Sequence, residues 1–194
     1  SVPGYTILIN DRRILAAVAL SMGVGADRLT DWTVAVDKYD KVGVDGVIKE
    51  LEVRGFDVDV AKGIEKLFKI NSASNSLDVL SNIASVLSSN SEGMKGVSDM
   101  RTLLSRASAD GIEAPKIKFD AMLARGLDYY TGAIFEVRVA DSPVGSICGG
   151  GRYDDLTGIF GWSGMSGVGI SFGVDRIEDV LAHFNKFPDA LDLT

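Results

Sequence analysis

Twelve of the chain's 22 glycines fall in the 48 residues from Gly126 to Gly173. Each glycine in a helix interior costs about 1 kcal/mol relative to alanine, so that stretch does not read as a helical bundle. Glycine is instead used where backbone takes positive φ or comes close to another group. The remaining 10 glycines are spread over the rest of the 194 residues. That length gives one large domain or one and a half small ones. With 46% hydrophobic and 24% charged residues it buries a sizeable core.

Charge is as uneven as glycine. Residues 120–194 carry 11 acids against 5 cations, while residues 38–119 balance, so the net −7 sits almost wholly in the last 75 residues. A pI near 4.7 excludes a generally basic nucleic-acid-binding surface, though not a local one. No apolar run reaches the roughly 18–20 residues of a membrane-spanning helix. One cysteine makes no intrachain disulfide, and one cysteine with one histidine argues against a zinc site. The opening Ser1-Val2-Pro3-Gly4 has no initiator Met and no signal pattern, so the chain reads as a piece of something longer.

Tyr5–Ile9 reads as a strand, followed by an N-cap at Asn10 or Asp11 and a helix through Ile14, Leu15, Val18 and Met22 to Gly23. Further helical stripes are Leu29/Trp32/Val36, Val44/Val47/Leu51 closed by Gly55, and Val60/Ile64/Leu67. A helix over Leu77–Leu87 precedes a loop over Ser88–Gly96. Val97 to Ala107 then forms a helix stopped by Gly111, with Ile112 beyond the cap. From Pro115 the period changes to two, over Ile117–Leu123 and Ala133–Val139. Ser146–Cys148 starts a short strand, and a helix follows at Tyr153–Ile159. Val168, Ile170 and Phe172 read as a buried strand with a helix from Val174 to Phe184 behind it. Residues 1–112 are thus mainly helical, and 116–190 are antiparallel strand plus a terminal helix, an α+β arrangement.

Three segments carry the candidate chemistry. Arg125, before a glycine and between two strands, is either a solvated turn residue or a planar fork for carboxylate or phosphate. Tyr129 and Tyr130, adjacent in an extended segment, should face opposite sides of the sheet, one in the core and one presenting a hydroxyl. Gly149-Gly150-Gly151 before Arg152-Tyr153 is either a bulge leading to a helix start, where Asp154 and Asp155 suit the dipole, or backbone that a ligand approaches. It lacks the Lys of a phosphate loop. Arg176 stands in the first turn of a helix, where a cation opposes the dipole. Either an anionic ligand or a salt bridge to Asp175, Glu178 or Asp179 resolves that conflict. His183 reads as a surface or packed histidine, Cys148 as a small buried strand residue, and Lys62, Lys66 and Lys69 as a solvated helix face.

Taken together and in order, RGLDYYTG at 125–132, GGGRYDDL at 149–156 and GVGISFGVDRI at 167–177 resemble the two histidine signatures and class II motif 3 of histidyl-tRNA synthetases. Ile9–Arg13 through Ala35–Lys38 resembles the segment that follows motif 2. The resemblance covers most of the chain and is weakest at about 44–112. It implies part of a class II antiparallel sheet (1–43 and 113–194) interrupted by a helical insertion domain at 44–112.

What it implies chemically is ATP-dependent activation of histidine to histidyl-adenylate, then transfer to tRNA(His). Arg125 maps to the arginine bridging amino-acid carboxylate and α-phosphate. Tyr129, Tyr130, Gly150 and Tyr153 map to the histidine site, and Gly169, Gly173 and Arg176 to the ATP site. ATP arrives with magnesium, no protein-bound metal site is implied, and the parent is a cytoplasmic homodimer. Motifs 1 and 2 and the anticodon-binding domain lie outside this sequence, so the fragment alone is expected to be inactive. Asp155 departs from the Gly or Asn usual in that family. The alternative is the synthetase-like regulatory subunit of ATP phosphoribosyltransferase, which binds histidine without activating it; Arg125, Asp128 and Arg176 favour the synthetase.

Overall fold

Strand β1 (Tyr5–Asp11) runs directly into helix α1 (Arg12–Ser21) because Asp11 ends one and caps the other. Its backbone is extended, and its carboxylate accepts from the Arg13 amide at 2.9 Å. The same buried carboxylate takes the Arg13 guanidinium, which reaches on to Asp99 at 2.7 Å and so ties α1 to a later helix. Asn10 caps nothing: its amide donates to the Leu123 carbonyl at 2.9 Å, 113 residues away. The computed structural model describes residues 4–126, 129–154 and 156–187.

Helices α2 (Leu29–Val36), α3 (Tyr39–Val53), α4 (Val58–Asn71), α5 (Ser76–Val86) and α6 (Ser91–Ala109) follow. Their apolar stripes meet in one core that includes Trp32, Leu51, Ile64, Leu80 and Met100, all essentially inaccessible. Ile9, Phe119 and Ile134 of the sheet belong to the same cluster. The chain then supplies β2 (Ile117–Phe119), β3 (Ala133–Val139), β4 (Cys148–Tyr153), β5 (Gly167–Phe172) and α7 (Val174–His183). The sheet order is β2-β1-β3-β4-β5.

Several expectations change. The loop expected over Ser88–Gly96 is mostly the start of α6, with Asn90 accepting from the Gly93 amide at 2.8 Å. Its glycines are packing residues: a Cβ on Gly93 would lie 2.6 Å from the Ala17 Cβ, and one on Gly96 would lie 2.9 Å from Ile14. The run Ile117–Leu123 is strand only to Phe119, because the Asp120 side chain accepts from the Met122 amide and turns the chain. β2 pairs parallel with β1, whereas all other pairings are antiparallel. The glycine triplet lies inside β4, and the expected Tyr153–Ile159 helix is a single 3₁₀ turn at Leu156–Phe160. Val168, Ile170 and Phe172, expected to be buried, are 71, 57 and 61% exposed because β5 is an edge strand with that face uncovered.

Asn10 is the tie between β1 and the segment that leads into the first signature. Replacing it with alanine strands the buried Leu123 carbonyl and the Asp11 amide it serves at 2.8 Å. Asn10→Ala should cost about 1–3 kcal/mol, seen as a lower urea midpoint at unchanged slope. An unchanged midpoint would show that the bond to Leu123 carries no net stability.

Candidate functional site

Of the first signature, Arg125, Gly126 and residues 129–132 lie outside any strand. Gly126 takes φ +66°, and a Cβ there would fall 1.9 Å from Cδ2 of Tyr130, so glycine is required twice over. The loop is clamped to the end of β4. The Thr131 amide donates to the Arg152 carbonyl at 2.9 Å, and the Thr131 hydroxyl donates to Asp154 at 2.7 Å. That hydroxyl, together with Arg152, holds the Asp154 carboxyl below the usual carboxylate range. Two signatures well apart in sequence thus form one wall.

The floor is sheet backbone. Register places Glu136 of β3, Gly149 of β4 and Ser171 of β5 in one row, and Ile134, Gly151 and Gly169 in the next. A Cβ on Gly149 would meet Nη1 of Arg125 at 3.4 Å, and one on Gly151 would meet the Tyr130 ring at 2.7 Å. A Cβ on Gly167 would meet the Tyr153 ring at 2.3 Å. Arg125, Tyr130 and Tyr153 therefore lie on three bare patches of the same face. Gly150 points the other way, against the Phe135 ring and the Gly169 carbonyl.

Both candidate arginines converge on Ser146, a buried residue just before β4. Arg125 Nη2 donates to its hydroxyl at 2.8 Å, and Arg176 Nη1 donates to the same hydroxyl at 3.2 Å and to its carbonyl at 3.1 Å. Arg125 Nε also pairs with Glu136, whose carboxylate is buried and whose other oxygen accepts from Arg138 at 2.7 Å. Arg138 continues to Asp40 at the start of α3. Nη2 and Nε of Arg125 are thus engaged, and its Nη1 faces the floor at Gly149.

A cleft of about 430 Å³ brings together Arg125, Tyr129, Tyr130, Gly150, Gly173 and Arg176. A second cavity of about 520 Å³ adjoins it, sharing Arg125, Ser146 and Arg176 and adding Lys38. Tyr153 and Gly169 do not line the first cleft; the Tyr153 ring covers Gly167 and Gly169 beside it. Tyr129 and Tyr130 do not split between two faces. Their rings meet at 4.3 Å between centroids with planes tilted by 56°, both on the cleft side, because neither residue is in a strand and strand alternation does not apply. Arg176 takes no carboxylate from its own helix among the described residues. Leu127, Asp128 and Asp155 lie outside the described residues.

Ser146 and Glu136 were not singled out in the sequence. Glu136 had a legible signal, since it shares its strand face with Ile134, and an acid on an apolar face needs a cation. Ser146, at the end of a turn run, had none. His183 packs edge-on against Phe184, away from the cleft. Cys148 is buried, and burial pushes its thiol pKa up.

A family model described as histidyl-tRNA synthetase matches residues 1–177. The histidine–tRNA ligase of Flavobacterium johnsoniae is 47% identical over 192 residues, 98% of this chain and 40% of that protein. That of Phocaeicola vulgatus is 46% identical over 94% of this chain. The chain thus spans about two fifths of the curated relatives it matches. The crystal structure of histidyl-tRNA synthetase from a Nostoc species superposes with TM-score 0.85 at 28% identity, over 97% of this chain and 44% of that one. A Bacillus halodurans structure described as an ATP phosphoribosyltransferase regulatory subunit/histidyl-tRNA synthetase shares the fold, at TM-score 0.74 and 17% identity over 92% of this chain and 45% of that one.

Two tests address the site's construction. Gly150→Ala would place a methyl 2.2 Å from the Gly169 carbonyl and should cost about 1–3 kcal/mol. Gly149→Ala meets nothing nearer than 3.4 Å and should stay within about 0.5 kcal/mol. Equal melting temperatures for the two would overturn the assigned faces. Separately, burial and then the Tyr129 hydroxyl push Tyr130 from 10.0 up to about 12. A raised phenol pKa supports the fold below the unfolded value, and that support is lost as pH climbs from about 10 to about 12. Burial raises Tyr39 as well, so ultraviolet titration should show a late phenolate component whose latest part Tyr130→Phe removes.

Proposed function

The chain belongs to the histidyl-tRNA synthetase family, and from that membership we propose that its cleft serves histidine activation. In that reaction a carboxylate oxygen of histidine attacks the α-phosphorus of ATP, and the bond to pyrophosphate breaks. The observation that carries the reading is the convergence of Arg125 and Arg176 on Ser146 beside Tyr129 and Tyr130. One end is cationic and fork-shaped, as carboxylate and phosphate require. The other offers phenol hydroxyls, which discriminate strongly for a polar ring because an apolar analogue would leave them unpaired.

Arg125 is the catalytic candidate, bridging carboxylate and α-phosphate and offsetting charge as the new bond forms. Glu136 and Ser146 hold two edges of its guanidinium, so its orientation is set before ligand arrives. Tyr129, Tyr130, Gly150 and Tyr153 are assigned to histidine, and Gly169, Gly173 and Arg176 to ATP. The adjoining cavities share both arginines, which suits a ligand pair reacting at their junction. Magnesium is proposed to arrive bound to the ATP phosphates.

For the whole protein, tRNA(His) as acceptor, a homodimer and a cytoplasmic location are proposed on family grounds. No helix among the described residues is long and apolar enough to cross a membrane. Residues 44–112 are proposed as an insertion between the two catalytic segments, 1–43 and 113–194. Ligase relatives at 47 and 46% identity support activation over a purely regulatory role.

The test is histidine-dependent exchange of pyrophosphate into ATP by a full-length protein carrying this sequence. Arg125→Ala should reduce it about 10²–10³-fold with the fold intact. Arg125→Lys should recover little, since it keeps the charge and loses the fork. Exchange at the unsubstituted rate would overturn the role of Arg125. Exchange by the isolated 194 residues would overturn the expectation that they are inactive alone.

A further inference from the structure

Between β2 and Arg125 the chain crosses buried space without regular structure. Ala121, Met122, Leu123 and Ala124 are each 1–3% exposed and belong to no helix or strand. Buried backbone of that kind holds one position only where its polar groups find partners. Asp120 donates its amide to the Ile9 carbonyl at 2.9 Å, Met122 to the Asp120 carboxylate at 2.9 Å, and Leu123 to the Asp120 carbonyl at 3.1 Å. The amides of Phe119 and Ala121 go instead to the junction of α4 and α5. The Ser76 hydroxyl accepts from Phe119 at 2.9 Å, and Oδ1 of Asn71 accepts from Ala121 at 2.7 Å.

Asn71 bonds the same turn a second time. Its Nδ2 donates at 2.8 Å to Oδ1 of Asp120, the oxygen that also serves Met122. The amide orientation is fixed, since only its oxygen accepts from a backbone N–H and only its nitrogen donates to a carboxylate. One side chain at the end of α4 thus closes a ring of bonds around residues 120–122. Asn71 lines neither cavity that holds Arg125. Its influence travels along the buried backbone, because Arg125 directly follows Ala124. Glu136 and Ser146 orient the Arg125 guanidinium, but the segment it leaves from sets where its Cα stands. A displacement of about 1 Å at a catalytic group costs on the order of 10²-fold in rate.

We propose that Asn71 is a positioning residue for Arg125: by holding the turn at 120–122 it fixes where the guanidinium enters the cleft. The kinetic consequence rests on the histidine-activation reading, whereas the structural one rests on geometry alone.

Two measurements keep these apart. In the 194-residue chain, the Nε–H of Arg125 is held against buried Glu136 and gives a nitrogen-15 NMR resonance, identified by its loss in Arg125→Lys. Asn71→Asp preserves size and the acceptor for Ala121 but sets one carboxylate against another, so it should shift or broaden that resonance. Adding Asp120→Asn to Asn71→Asp restores each bond with donor and acceptor exchanged, and should return the resonance to its place. Asn75→Ala removes the cap that accepts from Leu77 and Asp78 at 3.0 Å, lowers stability from the same junction, and should leave the resonance unmoved. In a full-length protein carrying this sequence, Asn71→Asp should lower kcat for pyrophosphate exchange about 10-fold, with KM for ATP and histidine within about 2-fold. The double substitution should recover kcat to within about 3-fold. Asn71→Ser, too short to span both bonds, gives the same test should the paired carboxylates prevent folding. A resonance unmoved by Asn71→Asp, or moved as far by Asn75→Ala, overturns the proposal. So does a kcat that Asn71→Asp leaves intact, or a loss that the double substitution does not restore. Absence of any exchange by the unsubstituted full-length protein would instead remove the histidine reading, and the Arg125 resonance would still decide the role of Asn71.

Discussion

Because Gly149 and Gly151 on β4 and Gly167 on β5 present no Cβ to the cleft, the Arg125 guanidinium and the rings of Tyr130 and Tyr153 lie directly on sheet backbone. Any side chain at Gly151 or Gly167 would lift its covering ring by about 1 Å, since a methyl there would sit 2.7 or 2.3 Å from ring atoms. Around that low ring, Tyr129 lies against Tyr130 with the ring planes tilted by 56°, Gly126 offers no Cβ to meet the Tyr130 ring, and Thr131 is bonded to Asp154. The glycine excess is therefore not looseness. It is the means by which long polar side chains approach a rigid floor.

Electrostatics then sorts those side chains. Two guanidiniums sharing one buried hydroxyl repel each other, by a few kcal/mol at the effective dielectric of a partly buried site. Glu136 offsets one of them, and Arg138 offsets Glu136 in turn, with Asp40 at the end of the chain. The alternation leaves a net cationic cleft inside the most acidic part of the sequence. An anion entering that cleft relieves the repulsion without displacing a buried partner, because the Glu136 carboxylate keeps Arg138. Arg125 is thus oriented by the protein while its Nη1 stays turned to the cleft floor.

Periodicity made the helices legible. Trp32, Leu51, Ile64, Leu80 and Met100 are buried where a 3.6-residue stripe puts them, and Gly111 closes α6 with the Ile112 amide bonded to Ala107. Glycine misled in one place, at Gly93 and Gly96. There it marks close helix packing against Ala17 and Ile14, a tertiary fact with no local trace. The two tyrosines misled because alternation was assumed for a loop. Parallel pairing of β2 was invisible for the same reason that Ser146 was: both depend on which distant segments meet. Val168, Ile170 and Phe172 of β5 read as buried from their apolar alternation, and alternation says nothing of whether another element lies over that face.

That last mismatch bears on the site itself. Among the described residues Val180 is the buried residue of α7, and every other element of comparable length is anchored by more. Arg176 and Gly173, which close the cleft on that side, thus rest on the least anchored strand and helix of the molecule. Segments with few buried contacts open locally at low free-energy cost. An anion held between Arg125 and Arg176, as proposed, binds the closed arrangement and not the open one, and so stabilises it by its own binding free energy. Occupancy of the cleft and the local stability of β5 and α7 are then linked, each favouring the other.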